Sequence, residues 1–302
     1  GIAHIDHNLR GDEGRADAEF VKSIAARYQL PFFLERIDAD DYRKRHGTSI
    51  EEAARRRRYG LLQAIARRRD YDRIAVGHNA NDNAESVLLF LLRGSGPGGL
   101  GGIRPKVADR IIRPLIRLDR SQIEQYLSHR ELCFVSDRTN LDLRFVRNRI
   151  RHRLMPVIQN EFNPAVVEGL NRLAQIVRDE ETWLQSLAKE RLEALIQSRS
   201  VGRIDLAVSG LREMPPALQR RVLRVAVAEV KGNLRRIGYT HVESIRSLCE
   251  TADGGGFVHL PGNLCARRER QVLTVIRGVP KAASRDAATG VPPTPRFEYR
   301  ID

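Results

Sequence analysis

The sequence predicts an α/β protein, with a doubly wound parallel sheet over residues 1–160 and a mainly helical second domain over residues 161–277. Short apolar runs alternate with amphipathic stretches through the first half, as in parallel strands joined by crossover helices. Polar clusters recur just after those runs, where open α/β sheets bind their ligands. After about Asn160 the strand pattern gives way to long stretches of helical period.

The elements follow in order. Ile2–Ile5 reads as a short strand. Gly11–Gln29 reads as an amphipathic helix, with Ala16, Phe20, Ile24 and Tyr28 on one face. "PFFLERI" at Pro31–Ile37 is a strand. Thr48 and Ser49 each precede a glutamate by three residues, the capping-box spacing that starts the helix "EEAARRRRYGLLQAIARRR". "RIAVG" at Arg73–Gly77 is a strand and Asn81–Arg93 a helix. Gly94–Gly102 follows a helix instead of opening one, so it does not aim backbone N–H groups at phosphate; it reads as a mobile loop. "RIIRPLI" is extended, Asp119–Glu131 helical, and "LCFVSD" at Leu132–Asp137 a last strand. Beyond it, Val166–Arg199, Pro215–Val230 and His241–Glu250 read as helices, with a β-element of Phe257–Leu260 and Gln271–Ile276. Residues 278–302 turn to Pro, Ala, Ser and Gly, a linker or the start of a further domain.

Composition bounds the partners. Lys and Arg number 52 against 38 Asp and Glu, a net charge of +14 that favours a polyanion, nucleic acid first. GC-rich coding is the competing source of so much arginine. No window approaches the ~18 apolar residues of a membrane span. The N-terminus lacks the basic start and apolar core of a signal peptide. Cys133, Cys249 and Cys265 form no CxxC pair and read as free thiols in a reducing compartment.

Three polar clusters carry the candidates. "HIDHNLR" follows the first strand. "GHNANDNAES" sets His78 at a strand end, with Asp82 and Glu85 three apart on one helix face. Both carboxylates sit in the first turn, where the helix dipole favours them, so a purely stabilising role competes with a functional one. "SDRTNLDLRFVRNRIRHRLMP" holds five arginines between Arg144 and Arg153. Arg144, Arg147 and Arg151 form one stripe, beside an apolar stripe of Ile150, Leu154 and Val157. Such a stripe suits phosphate, or is a solvated basic face. On the helix after Ser49, Glu51 and Arg55 pair at i, i+4 and Arg58–Tyr59 follows; a solvated, salt-bridged face is the default there.

Together these stretches resemble the tRNA(Ile)-lysidine synthetase family, of the N-type ATP pyrophosphatase (PP-loop) superfamily. "AHIDHNLR", "SIEEAARRRRY", "GHNANDNAESVLLFLLRGSGPGGLGGI", "RPLI" and "DRTN…RNRIRHRLMP" match its ordered motifs over about residues 1–160; "PPALQRRVLR" and "HVESIRSL" match its helical substrate-binding domain more loosely. The resemblance implies an adenine-nucleotide alpha-hydrolase-like fold and a cytoplasmic ligase. ATP, with Mg2+, would adenylate the C2 oxygen of wobble cytidine 34 in tRNA(Ile) with a CAU anticodon. The ε-amine of L-lysine would then displace AMP, changing the codon read from AUG to AUA.

The resemblance also implies roles. His78, Asp82, Glu85 and Arg113 would be catalytic, Asp82 and Glu85 holding lysine, and Arg113, with Arg147 and Arg151, stabilising phosphate charge or gripping the tRNA backbone. His4, Asp6 and Arg10 would bind ATP. Glu51, Arg55, Arg58, Arg147, Asn148 and Arg151 would bind substrate, and no residue is assigned to a metal. A homodimer is compatible with the family. The family's SGGxDS phosphate loop is expected upstream of Gly1, so the 302 residues alone are expected to be inactive. Asn81 stands at the first Asp of the family's DD pair and Ser86 at its Thr; Asn81 can cap a helix but brings no charge. A related PP-loop tRNA-thiolation enzyme and a non-catalytic tRNA-binding fragment are the alternatives; the cytidine type of the first relies on CxxC pairs that the sequence lacks.

Overall fold

The computed structural model describes residues 1–6, 11–37, 50–108, 110–135, 141–251 and 255–278, without the side chains of residues 50–52. The expected cap at Thr48 and Ser49 and the stretch after residue 278 lie outside the described residues. The chain divides into two compact units, Gly1–Arg178 and Asp179–Asp302. No helix among the described residues is long and apolar enough to cross a membrane.

In the first unit, β1 (Ile2–Asp6) and β2 (Phe32–Arg36) pair in parallel, from Ile2 against Phe32 to Asp6 against Arg36. They are joined by α1 (Asp12–Arg27), which turns Ala18 and Ala25 inward. The helix α2 (Ile50–Arg68) leads to β3 (Ile74–Ala75), α3 (Ala80–Leu92) and the short α4 (Pro97–Leu100). Then come β4 (Lys106–Val107), β5 (Ile111–Ile112) and α5 (Arg120–His129). β5 is central, parallel to β3 and antiparallel to β4. Ala66 of α2 packs with Ile74 and Ile111, under Tyr59, Leu62, Tyr71 and Val76. That small core fixes α2 against the strands whose C-terminal ends carry His78 and Arg113.

The arginine-rich segment is helical but irregular. α6 (Val146–Arg149) runs into a π-helical turn at Ile150–Leu154, then α7 (Met155–Val157) and a second π turn at Ile158–Phe162. The two π turns bracket Pro156, which has no N–H to give and whose ring crowds the carbonyl four residues back. Ile150 and Met155 pack on Ala84 and Leu88 of α3. This apolar contact lays Arg147 and Arg151 over the first turns of α3.

The helix α8 (Val166–Leu195) begins in the first unit and ends in the second. The second unit holds β6 (Ile196–Ser200), β7 (Arg203–Ala207), α9 (Val208–Arg212), α10 (Pro216–Lys231), α11 (Tyr239–Glu250), β8 (Gly255–Leu260), β9 (Leu264–Glu269) and β10 (Val272–Arg277). Its five strands form an antiparallel sheet in the order β6-β7-β10-β9-β8. Leu192, Ile204, Leu206, Leu223, Ile245 and Leu273 are fully buried in one continuous core between sheet and helices.

Three local expectations change. Ile196–Ser200 is a strand and not the end of a helix, while β7 and β9 add strands that the hydrophobic pattern does not announce. Leu132–Val135 is irregular backbone instead of a strand. The run Gly94–Gly102 is no free loop: Ile103 N–H donates to Asn83 Oδ1 at 2.6 Å and Arg178 Nη1 to the Gly101 carbonyl at 2.7 Å. Gly102 has φ +59°, and a Cβ there would overlap Asn83 Oδ1, so only glycine lets the run close on α3.

Candidate active site

The site is built on the first turn of α3. Asn79 is its N-cap: its side chain accepts from Asp82 N at 2.9 Å, and Asp82 Oδ2 accepts from Asn79 N at 3.0 Å. Such a reciprocal cap is worth about 1 kcal/mol. It also fixes the Asp82 rotamer and turns Oδ1 outward. Asp82 Oδ1 accepts from Arg147 Nη2 at 3.0 Å and from Arg151 Nη2 at 2.9 Å. Glu85 accepts from Arg147 Nε at 2.9 Å and from Arg151 Nε at 2.6 Å. The Glu85 side chain is only 3% exposed, against 23% for Arg151 and 30% for Arg147. Burial opposes the Arg151 charge, yet its bonds to Glu85 and Asp82 and their charges prevail and hold the guanidinium above its ordinary pKa.

The carboxylate pair and the arginine stripe, separate clusters in the sequence, are therefore one neutral four-charge site. Arg144 leaves the stripe: its exposed side chain closes on its own neighbour Asp142 at 2.7 Å. Asn148 is buried and donates from Nδ2 to the Asp142 carbonyl at 2.9 Å, holding the turn before α6.

A second group adjoins the first. Arg113 is 6% exposed. Its Nε donates to His78 Nδ1 at 3.3 Å, Nη1 to the Arg104 carbonyl at 2.6 Å and Nη2 to the Tyr59 hydroxyl at 3.4 Å. The resemblance points Arg113 to phosphate; here each of its three guanidinium nitrogens donates to a protein acceptor. The His78 pKa is pushed down to about 4, by burial first, with Arg113, Arg147 and Arg58 acting the same way and Asp82 opposing. Arg58 and Arg55 both lie over the Tyr59 ring, at 5.7 and 5.9 Å. Burial lowers the Arg58 pKa, as do the charges of Arg55 and Arg147, while Tyr59 raises it. Among the described residues Arg58 has no carboxylate partner.

Other candidates fall elsewhere or in part. Asn81 is not the cap; its Oδ1 accepts from Arg120 N at 2.8 Å and ties α3 to the start of α5. His4 and Asp6 share one face of β1, and Asp6, largely buried, lies 3.6 Å from Arg36 Nε. Arg10 and the side chain of Glu51 lie outside the described residues. Sequence reasoning missed Asn79 and Tyr59. Asn79 was detectable from its N-x-x-D spacing to Asp82, whereas nothing local marks Tyr59 as the acceptor for a residue 54 positions away. Among the described residues no group of three or more His, Cys, Asp or Glu could hold a metal ion.

The PP-loop domain family matches residues 1–158, and the TilS substrate binding domain family matches residues 206–274. The tRNA(Ile)-lysidine synthase of Solibacter usitatus is 40% identical over 280 residues, 92% of this chain and 61% of that protein. The tRNA(Ile)-lysidine synthase of Geobacter sulfurreducens is 36% identical over 277 residues, 91% of this chain and 59% of that protein. That of Caldanaerobacter subterraneus subsp. tengcongensis is 36% identical over 249 residues, 82% of this chain and 53% of that protein. The chain thus spans between 53% and 61% of the length of these curated relatives.

Proposed function

The chain belongs to the PP-loop domain family, and from that premise we propose that it is the catalytic and substrate-binding portion of a tRNA(Ile)-lysidine synthase. The reaction is the ATP-dependent ligation of L-lysine to C2 of cytidine 34 in tRNA(Ile) with a CAU anticodon. The C2 oxygen attacks the α-phosphorus of ATP and pyrophosphate leaves. The lysine ε-amine then attacks C2, and the C2 oxygen departs with AMP. The match of a TilS substrate binding domain behind the PP-loop domain, in one chain, supports the substrate assignment.

One geometric observation carries the mechanism: Asp82 and Glu85 are already engaged by two cations of their own chain. A pair of carboxylates that holds guanidinium groups also holds an ammonium group, through the same charge-assisted bonds. Lysine enters by exchange, its ammonium displacing Arg147 or Arg151 from the carboxylates. The displaced guanidinium is then free for an anion, whether phosphate of the adenylated tRNA or the carboxylate of lysine itself. Loss of a proton to Glu85 or Asp82 turns the ammonium into the nucleophile.

ATP supplies the adenylyl group; His4 and Asp6, on one face of β1, are the described residues assigned to it. Among the described residues no group of three or more His, Cys, Asp or Glu comes together, so a full magnesium ligand set is not supplied by them. Asp82 Oδ1 and both Glu85 oxygens accept from guanidinium groups, Asp82 Oδ2 from the Asn79 N–H, and Asn81 Oδ1 from the Arg120 N–H. No step is routed through a protein-held metal.

Net charge of +14 predicts tRNA affinity that falls steeply with salt. The direct test is attachment of labelled lysine to tRNA(Ile) by the full-length protein that carries this chain, with and without ATP, and with cytidine 34 replaced. Incorporation that needs both ATP and cytidine 34 supports the reading. Incorporation indifferent to either overturns it.

A further inference from the structure

We propose that Arg113 is a positioning residue that holds His78 as its Nε2–H tautomer, so that His78 donates a hydrogen bond to an anionic oxygen of the nucleotide substrate and is not the base for lysine. The inference deepens the lysine-ligation reading and rests on it.

A guanidinium has N–H donors only and does not lose its charge in a protein. When Arg113 Nε donates to His78 Nδ1, at 3.3 Å, Nδ1 must present its lone pair. The single proton of a neutral imidazole is then on Nε2. Arg113 cannot turn away to permit the other tautomer. Its Nη1 is held by the Arg104 carbonyl at 2.6 Å, its Nη2 by the Tyr59 hydroxyl at 3.4 Å, and its backbone N–H by the Pro105 carbonyl at 2.9 Å. Three contacts of the guanidinium and one of the backbone thus fix a residue that is 6% exposed.

The imidazolium form is disfavoured by the same neighbours. A proton on Nδ1 would face the Arg113 Nε–H. The charged groups acting on the ring are Arg113, Arg147 and Arg58 on one side of the balance and Asp82 on the other; with burial they hold His78 neutral at pH 7. An imidazole with Nδ1 engaged and Nε2 protonated has no lone pair with which to take a proton. Among the described residues Nε2–H has no hydrogen-bond partner, and Arg58 has no carboxylate partner. A polar N–H beside positive charge is matched to an oxygen that carries negative charge in the reaction.

Two measurements on the full-length protein that carries this chain test this. The first is nitrogen NMR of labelled His78, identified by its loss in His78→Gln. A pyridine-type Nδ1 and a pyrrole-type Nε2, unchanged from pH 8 to pH 5, support the assignment. A proton on Nδ1, or conversion to imidazolium between those limits, overturns it, whatever the enzyme does to lysine. In Arg113→Met the expected signature is loss of the single tautomer and an upward move of the His78 titration. The second is single-turnover lysidine formation by His78→Gln and His78→Ala, both checked by thermal melting. Glutamine keeps an N–H near the Nε2 position and has no basic nitrogen. It should stay at least about tenfold above alanine, whereas loss of a general base lowers both alike, by about a hundredfold or more. Equal loss overturns the donor role, and absence of lysidine from the unmodified enzyme overturns the reading beneath it.

Discussion

Two arginine clusters, one in each unit, are satisfied differently. In the first, Arg147 and Arg151 are held by the carboxylates of Asp82 and Glu85. In the second, Arg268 is 2% exposed and donates to the carbonyls of Leu248, Cys249 and Thr251 at the C-terminal end of α11, at 2.7, 3.2 and 2.8 Å. Arg212 joins it on the Cys249 and Thr251 carbonyls, at 2.5 and 2.8 Å. Carbonyls at a helix end are neutral groups that lack partners of their own, so a guanidinium there completes the fold and has no competitor. Carboxylates accept any cation of suitable shape. The first arrangement is exchangeable, and the second is a permanent cap.

The largest expected effect breaks the exchangeable cluster. Arg151→Met leaves Glu85 buried with half its partners and should cost about 3 kcal/mol or more of unfolding free energy. Adding Glu85→Leu should restore much of that loss, because apolar side chains of similar volume can replace a buried ion pair. Lysine transfer should remain lost in the double variant. Chemical denaturation read beside lysidine formation separates the two effects.

Next in size is the permanent cap. Arg268→Met takes one charged donor from the Leu248, Cys249 and Thr251 carbonyls, which keep Thr251 Oγ1 and Arg212, and should cost about 2 kcal/mol. The rate per folded molecule should not change. A large fall in rate without a fall in stability would erase the distinction between the two arginine sites.

Acid should act on the first unit through His78. Its pKa in the folded chain, about 4, lies below the ordinary 6.5. Between those values the unfolded chain binds a proton that the folded chain does not, so stability falls as pH drops from 6.5 toward 4. His78→Gln should flatten that part of the stability profile.

The smallest effect is on thiol reactivity. Cys249 lies under the Arg268 and Arg212 cap, and burial lifts its thiol to about 11. Burial raises Cys265 as well, while Cys133 is exposed. Iodoacetamide at pH 8 should therefore label Cys133 alone, and Arg268→Met should open Cys249 to slow labelling.

The same contrast explains what was legible in the sequence. α3 was readable from apolar period and acidic first turn, and its cap from Asn79 to Asp82 is a local signal. The union of Asp82 with Arg147 and Arg151 spans 65 and 69 positions and follows from docking of Ile150 and Met155 on α3, which no local pattern contains. In the second unit β9 reads "LCARRE", where arginine interrupts the expected alternation. Arg268 can point inward only because α11 ends beside it, a fact of tertiary structure. Ile196–Ser200 carries helix-compatible residues and becomes a strand by pairing with β7. Its conformation is set by a neighbour rather than by its own propensity.

The claim that matters most is that the Asp82–Glu85 pair receives the lysine ammonium. Its most direct test is single-turnover kinetics of Glu85→Gln in the full-length protein, with pyrophosphate release and lysidine formation followed in the same reaction. The account predicts that pyrophosphate release stays within about tenfold of the unmodified enzyme, while lysidine formation falls by about a hundredfold or more. Equal loss of both steps, with an unchanged melting temperature, would contradict it and move Glu85 into adenylation.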